Sequence, residues 1–528
     1  MLSREYGVLA GAGGVKDMVR QLARSMARWN GRSVSVVLPC YGFMDPEALG
    51  FSQLVDPLAV TRPLEYEVDM DYVRQERREQ IRVWTARQER VTLYLLDSAR
   101  FREKLGVYTY TSADQQISSS QKQGQGHYDY FAMNVLLQKG ALNLMLLLGA
   151  QPDIIHCHDA HTALVPAMIR ENEGLRHLFR RTGTLVTIHN AGLGYHQEVA
   201  DLDFARAVTG LPMKLIRESC LGSDFDPFLA AAPYAHFNTV SENYARELQE
   251  SDDDRLTGML GHLLLERGVR LAGIINGIDP GEYDPVTPAQ SGICAAFDPV
   301  AAGTLTGKEL CRQELINRCG AGNQISGVRQ GGTLHCPQNW PLLTFVGRLS
   351  EQKGIDLLLL AMEELLARDS EFVFLLLGTG ALAEEQEVLK LAADHPGRVC
   401  VLLGYDPILA NQIYAAGDFF LIPSRYEPCG LTDFMAQLFG NLPVVHAVGG
   451  LVKVLDGETG LSYDGDGVPP LVNAVERALT LYRTKPGQIR TMQRRAVQLI
   501  RDRYSWRRVM QQYLKLYKKA SPGQFIEN

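Results

Sequence analysis

Nowhere in the 528 residues does an apolar run reach the ~18 positions that a membrane span requires. The longest candidate, ALNLMLLLGA at 141–150, is followed by Pro152 and reads as the end of a buried helix. The opening residues, MLSREYGVLAGAGGVKD, carry charges and lack the unbroken apolar core of a secretory signal. Cysteine is sparse and unpaired in pattern: nine residues, an odd number, with no CxxC. That excludes a disulfide framework and points to reduced thiols and a cytoplasmic location. Basic residues are not in excess, since 53 Lys and Arg stand against 60 Asp and Glu, a net charge of -7. Such a balance gives no electrostatic footprint for nucleic acid or an anionic membrane as partner. A Walker-type phosphate loop is also missing, because no Gly-Lys-Ser/Thr follows the glycine loop at the required spacing.

What is present is an ordinary globular composition, 46% hydrophobic, in a chain too long for one core, so two domains are expected. Short apolar runs alternate with amphipathic stretches, the pattern of βαβ units and parallel sheets. In the first half the strand candidates are 33–39, 91–97, 153–158, 184–189 and 236–241. The second half restarts the pattern at 342–347, 372–378, 399–404, 419–424 and 442–447. Two such runs predict an α/β chain of two doubly wound domains, with the hinge near 279–300 and ligands at the carboxyl ends of the strands. The polar stretch 112–126, SADQQISSSQKQGQG, predicts a mobile surface loop, and Gly- and Asn-rich 318–340 a second loop. An amphipathic helix, SWRRVMQQYLKLYKK, ends in a basic tail.

Polar and glycine motifs follow most of these runs. GAGGVKD (Gly11 to Asp17) opens a helix and either lets a phosphate approach the backbone or makes a tight turn. HCHDAHT brings His156, His158, Asp159 and His161 to a strand end. It reads as a sugar- or phosphate-facing loop, as metal ligands, or as Asp159 capping the next helix. The spacing argues against the metal, because His161 belongs to the turn beyond the strand. TIHNAG places His189 and Asn190 at another strand end. In GRLSEQKG, Arg348 and Lys353 are five positions apart and either clamp a diphosphate or stand as solvated cations. SRYEPCGLTD sets Glu427 beside a Gly-Leu-Thr turn. A carboxylate there would repel phosphate and so suits sugar hydroxyls, while Cys429 has no adjacent base and reads as a small hydrophobe. The DxD strings at 69–71, 224–226 and 464–466 follow no motif-bearing strand, so no metal is assigned.

Taken together, VVLPCYG, HCHDAHT, TIHNAG, NTVSENYAREL, GIINGIDPGEYDP, FVGRLSEQKGIDLLL, LLGTGA, SRYEPCGLTD and PVVHAVGGLVKVL resemble the bacterial and plant glycogen/starch synthases, in family order and across nearly the whole chain. The resemblance implies a GT-B fold, two Rossmann-like domains facing each other across a cleft. Residues 1–285 would form the acceptor-side domain, 286–500 the donor domain, and 501–528 a C-terminal helix returning to the first domain. It implies retaining transfer of α-glucose from ADP-glucose, or UDP-glucose, to the 4-hydroxyl of an α-1,4-glucan, with no metal or other cofactor. Arg348 and Lys353 would neutralise the leaving diphosphate, which Gly13, Gly14, Cys429, Gly430, Leu431 and Thr432 would hold. Glu427 would bind the 3- and 4-hydroxyls of the moving glucose. His189 would bind its 6-hydroxyl and polarise the reaction centre through its carbonyl. Gly404 and Tyr405 would meet the base, and Asp17, Tyr108, Asp159, Asn190 and Asn276 would line the sugar and acceptor side. Because Arg348 and Glu427 lie in one half and His189 in the other, the resemblance also implies domain closure.

The chain departs from that family in three places. The family's Lys-x-Gly-Gly-Leu-Gly-Asp is here Gly11-Ala-Gly-Gly-Val-Lys16-Asp17, without the first lysine. Ala160 stands where the family prefers Trp. Only MLS precedes REYGVLAGAGG, which predicts a shortened first strand. Two alternatives follow: a retaining transferase with a small sugar acceptor, or a glucan-binding homologue with impaired catalysis.

Overall fold

The computed structural model describes residues 1–29, 32–320, 322 and 325–521. Positions 321, 323 and 324 of the 318–340 stretch, and 522–528 of the 501–528 segment, lie outside the described residues. The chain divides into two compact units, Met1–Gly277 with the stretch from Val509, and Ile278–Arg508. The sequence-based boundaries were 285/286 and 500/501. The first change of unit comes earlier and the second later, because Ile278 N–H donates to Tyr504 O (2.9 Å) and Trp506 N–H to Ile278 O (3.3 Å), tying both segments into the second unit.

In the first unit the strands are β1 (Val34–Pro39), β2 (Arg78–Gln88), β3 (Val91–Asp97), β4 (Ile154–His158), β5 (Gly183–Ile188), β6 (His236–Thr239) and β7 (Ala272–Gly273). Their order is β2-β3-β1 on one side and β4-β5-β6-β7 on the other, parallel except for β2 against β3. Leu2 joins the halves. Its N–H donates to His156 O (2.9 Å), its carbonyl accepts from His158 N–H (3.2 Å), and on the other side Ser3 N–H donates to Val37 O (3.3 Å). The segment around Leu2 thus takes the central place, and the sheet reverses its winding between Leu2 and β4. Strand β5 is buried at every position, as a parallel strand covered on both faces must be. Helix α1 (Val15–Arg28) follows the glycine loop and buries Met18, Val19, Leu22, Ala23 and Met26, spaced along one helical face. Helix α2 (Tyr130–Leu147) buries residues all round and contains most of the apolar run noted above. No described helix is long and apolar enough to cross a membrane.

The second unit is one sheet of β8 (Arg329–Gly332), β9 (Leu342–Leu349), β10 (Val373–Gly380), β11 (Val399–Leu403), β12 (Phe419–Ile422), β13 (Leu442–His446) and β14 (Leu461–Tyr463). The order is β8-β11-β10-β9-β12-β13-β14, with only edge strand β8 antiparallel. The winding reverses between β9 and β12. Successive residues of β10 feed opposite cores: Phe374 and Leu376 one, Val373, Leu375 and Leu377 the other. Truncating such a side chain, for example Leu376→Ala, would cost about 2–5 kcal/mol.

All ten predicted strands form. Two predicted loops are corrected. Ser112–Ile117 is a short helix, because Thr111 and Asp114 make a reciprocal capping box that satisfies its first N–H groups. Within 318–340, Arg329–Gly332 pairs with β11 and covers what would be an exposed sheet edge.

Candidate active site

Each unit gathers its polar motifs where its sheet reverses winding. In the first unit, Glu5 and the glycine loop follow the Leu2 strand, while His158 and Asp159 follow its neighbour β4. Asp159 holds a left-handed backbone, φ +59°, which a non-glycine residue rarely adopts. Its side chain does not cap the turn Ala160–Thr162, so the helix-cap reading is corrected. The carboxylate instead accepts from the N–H groups of His189 (2.7 Å) and Asn190 (3.4 Å), at the end of β5. Burial pushes its pKa up to about 7, against those two bonds, and the nearby Glu5 charge adds to the rise.

His189 is buried, and burial pushes its pKa down to about 3, so the ring is neutral. One of its nitrogens, Nε2, shares a hydrogen with His158 Nδ1 (3.0 Å). His156, by contrast, bonds Tyr517 (2.8 Å) and Thr187 (2.6 Å) and is a structural tie to helix α5 (Trp506–Ala520). Those bonds occupy both of its ring nitrogens, so neither is left to ligate a metal, although the His158 ring lies only 4.2 Å away. Among the described residues no group of three His, Cys, Asp or Glu side chains is placed to hold a metal ion. Asn276 is buried with its Oδ1 lacking a hydrogen-bond partner among the described residues, an acceptor suited to a polar ligand. Asn190 Oδ1 accepts from Gly192 N–H (2.8 Å) and shapes its own turn.

The glycine loop is engaged by a residue that the sequence reading missed. Glu5 accepts from Ala12 N–H (2.7 Å), Gly13 N–H (3.2 Å) and the Tyr108 hydroxyl (2.6 Å). Tyr108 also lies 5.0 Å from the His161 ring and 5.0 Å from the Arg4 guanidinium. A lone Glu before a glycine turn carries no motif signal, which is why it was overlooked. Gly14 caps α1, and Asp17 in its first turn pairs with Lys16 (2.7 Å). The missing lysine at position 11 has a spatial counterpart. A Cβ on Gly11 would come within 2.1 Å of Lys16 Cδ, so the Lys16 stem fills the space of a side chain at position 11.

In the second unit Arg348 is the penultimate residue of β9, and Lys353 closes a turn stopped by Gly354, φ +67°. Any Cβ on Gly354 would meet Pro423 O at 2.1 Å, so glycine is required where the two loops touch. That approach lets Lys353 form an ion pair with Glu427, to which Ser424 Oγ also donates (3.1 Å). Burial pushes the Glu427 carboxyl up, but Lys353, Ser424 and Lys453 more than offset it and hold it below its ordinary value. Arg348 is exposed, with one guanidinium nitrogen 3.4 Å from Gln352 Oε1. Gly430 is left-handed (φ +71°), Leu431 and Thr432 begin helix α4 (Thr432–Leu438; α3 is Ile355–Arg368), and Cys429 is buried. Gly404 N–H donates to Gly378 O (3.0 Å), and the adjacent Tyr405 ring is 72% exposed, open to stacking. Sequence reasoning also missed Lys453 and Asp433, although both lie within motifs it had quoted.

A family profile described as the starch synthase catalytic domain matches residues 1–263, and one described as glycosyl transferases group 1 matches residues 340–480. A glycogen synthase of Anaeromyxobacter sp. (strain Fw109-5) is 33% identical over 521 residues, 96% of each chain. Among solved structures, the catalytic domain of starch synthase IV from Arabidopsis thaliana, bound to ADP and acarbose, is similar with TM-score 0.76 and 24% identity over 98% of both chains. A sucrose-phosphate synthase from Thermosynechococcus elongatus gives TM-score 0.58 and 18% identity, over 98% of this chain and 97% of that one. At these identities the structural likenesses speak for the fold.

Proposed function

This chain belongs to the glycogen and starch synthase family and is a glucosyltransferase of GT-B fold, and we propose that it moves α-glucose from ADP-glucose to the non-reducing 4-hydroxyl of an α-1,4-glucan with retention of configuration. The observation that carries this reading is the buried Glu427 carboxylate, kept ionised by Lys353 and Ser424 at the point where the second sheet reverses. An ionised carboxylate accepts hydrogen bonds from two sugar hydroxyls and is repelled by phosphate. Glu427 therefore takes the 3- and 4-hydroxyls of the glucose. Arg348 and Lys353 neutralise the departing diphosphate, the service a metal renders in other transferases, and no metal or cofactor is required. Gly13, Gly14 and the Cys429–Thr432 turn hold the diphosphate, and Gly404 with Tyr405 takes the base.

His189, neutral at physiological pH, exchanges a hydrogen bond with the 6-hydroxyl without placing a positive charge beside the reacting carbon. Its backbone carbonyl faces the charge that develops there. Asp17, Tyr108, Asp159, Asn190 and Asn276 serve the sugar and acceptor side. The reaction belongs to the cytoplasm, where nine free thiols stay reduced.

The test is release of ADP from ADP-glucose and of UDP from UDP-glucose, each with glycogen as acceptor. Turnover faster with ADP-glucose, lengthened maltooligosaccharides and near-abolition by Glu427→Ala are expected. No turnover with either donor overturns the reading. Transfer to small sugars alone replaces it with a small-acceptor transferase.

A further inference from the structure

Lys453, whose charge helps hold the Glu427 carboxyl below its ordinary value, is among the most thoroughly engaged cations of the second unit. It ends the turn Gly449–Lys453, and its side chain is 3% exposed. The ammonium donates to the carbonyls of Cys429 (2.5 Å), Gly430 (2.8 Å) and Gly450 (3.1 Å) and lies 3.1 Å from Asp433 Oδ1. Three protons meet three backbone carbonyls, and Asp433 balances the charge.

Those carbonyls belong to two chain segments that wrap Glu427. Gly450 N–H donates to Glu427 O (2.8 Å). A Cβ on Gly449 would come 2.0 Å from Glu427 O, and one on Gly450 2.0 Å from Cys429 O, so both glycines serve close backbone contact. A Cβ on left-handed Gly430 would meet Asp433 Oδ1 at 2.9 Å and Lys453 Nζ at 3.1 Å. Side-chain and backbone contacts therefore converge on the peptides that immediately follow Glu427.

We propose that Lys453 is a positioning residue for glucosyl transfer: its ammonium stitches the Cys429 and Gly430 peptides to Gly450 and so fixes the turn that carries Glu427. The proposal rests on the transferase reading above, because turnover is one of its readouts. It differs from a mere packing role. A buried ion pair replaced as a whole by neutral groups of similar shape is often neutral for stability, whereas the stitch acts through the ammonium alone.

The experiment compares full-length Lys453→Met/Asp433→Asn, Lys453→Gln and Asp433→Asn with wild type, by melting temperature, kcat, KM and hydrogen exchange over residues 427–435. The double variant is expected to melt within a few degrees of wild type, lose at least thirtyfold in kcat with glucan KM changed less than threefold, and exchange faster at Gly430–Thr432. Asp433→Asn keeps the ammonium and is expected to stay within threefold in kcat. A folded double variant with near-wild-type kcat and exchange overturns the proposal, as does Asp433→Asn losing as much as the double. Should the double variant not fold, Lys453→Gln decides: unchanged kcat and exchange overturn the stitch. Should wild type transfer no glucose, the transferase reading falls, while the exchange comparison still tests the stitch by itself.

Discussion

The Lys353 ammonium and the Glu427 carboxylate, 74 positions apart in sequence, form an ion pair between the loops that follow the adjacent parallel strands β9 and β12. The pairing arises where the strand order reverses, the position at which open α/β sheets bind ligands, and here the two loops touch, Gly354 against the Pro423 carbonyl. The sequence reading gave the two residues separate tasks. In the structure the Lys353 ammonium holds the Glu427 carboxyl below its ordinary value, and the ion pair fixes the direction of both side chains.

Lys353→Met should therefore do more than remove a diphosphate contact. With its main counter-charge gone, burial raises the Glu427 pKa, and the acid limb of the kcat profile moves to higher pH. A loss of roughly 10²–10³ in kcat is expected at neutral pH, the scale for removing one stabilising group from a preorganised site. A pH–rate series on wild type and variant checks both; an unmoved acid limb would count against the coupling.

Glu5→Gln keeps an acceptor for the Ala12 and Gly13 N–H groups but removes a negative charge that helps raise the Asp159 pKa. The Asp159 ionisation should shift below about 7 while the glycine loop keeps its shape. Carboxyl-carbon NMR of labelled aspartate reads the shift directly.

The buried imidazoles of His156, His158, His161 and His189 make the fold sensitive to acid. Burial holds all four below the unfolded value, His189 at about 3, so the unfolded chain binds more protons. Their contribution is present in full above about pH 6.5 and is lost as pH falls toward the folded values, by up to about 1.4 kcal/mol per pH unit for each ring. Asp159, raised to about 7 from 3.8, works in the opposite sense across pH 3.8–7, but one carboxyl is outweighed by four rings. Urea midpoints should stay nearly level from pH 7.5 to about 6.5 and fall from there to pH 5, less steeply in His156→Gln.

Gly183→Ala should destabilise the first unit. A Cβ there would lie 2.1 Å from the Ala520 carbonyl, at the end of α5. Backbone cannot swing aside as a side chain can, so a cost of about 1–3 kcal/mol is expected. Thermal melting measures it, and hydrogen exchange should show the end of α5 opening first.

Much of this was legible in the residues. Ten strands could be placed because buried parallel strands read as continuous apolar runs, and the site motifs stood out because they follow those runs. The capped helix at 112–117 was not legible as such, since its composition is that of a loop and only the reciprocal Thr111–Asp114 bonds reveal it. Glu5, Asp433 and Lys453 were missed for a related reason. A single charged residue has no pattern, and its meaning comes from which carbonyls, N–H groups or charges it meets in space.

The amino-acid sequence by itself determined the architecture and the reaction class, because hydrophobic periodicity and motif order are local properties written along the chain. Only the tertiary structure decided the electrical state of the site. It showed that Glu5 engages the glycine loop, that Lys16 fills the space left at Gly11, that Asp159 is pushed toward neutrality, and that Glu427 stays ionised between Lys353 and Ser424. Those outcomes depend on burial and on contacts between residues far apart in sequence, which exist only once the strands are side by side.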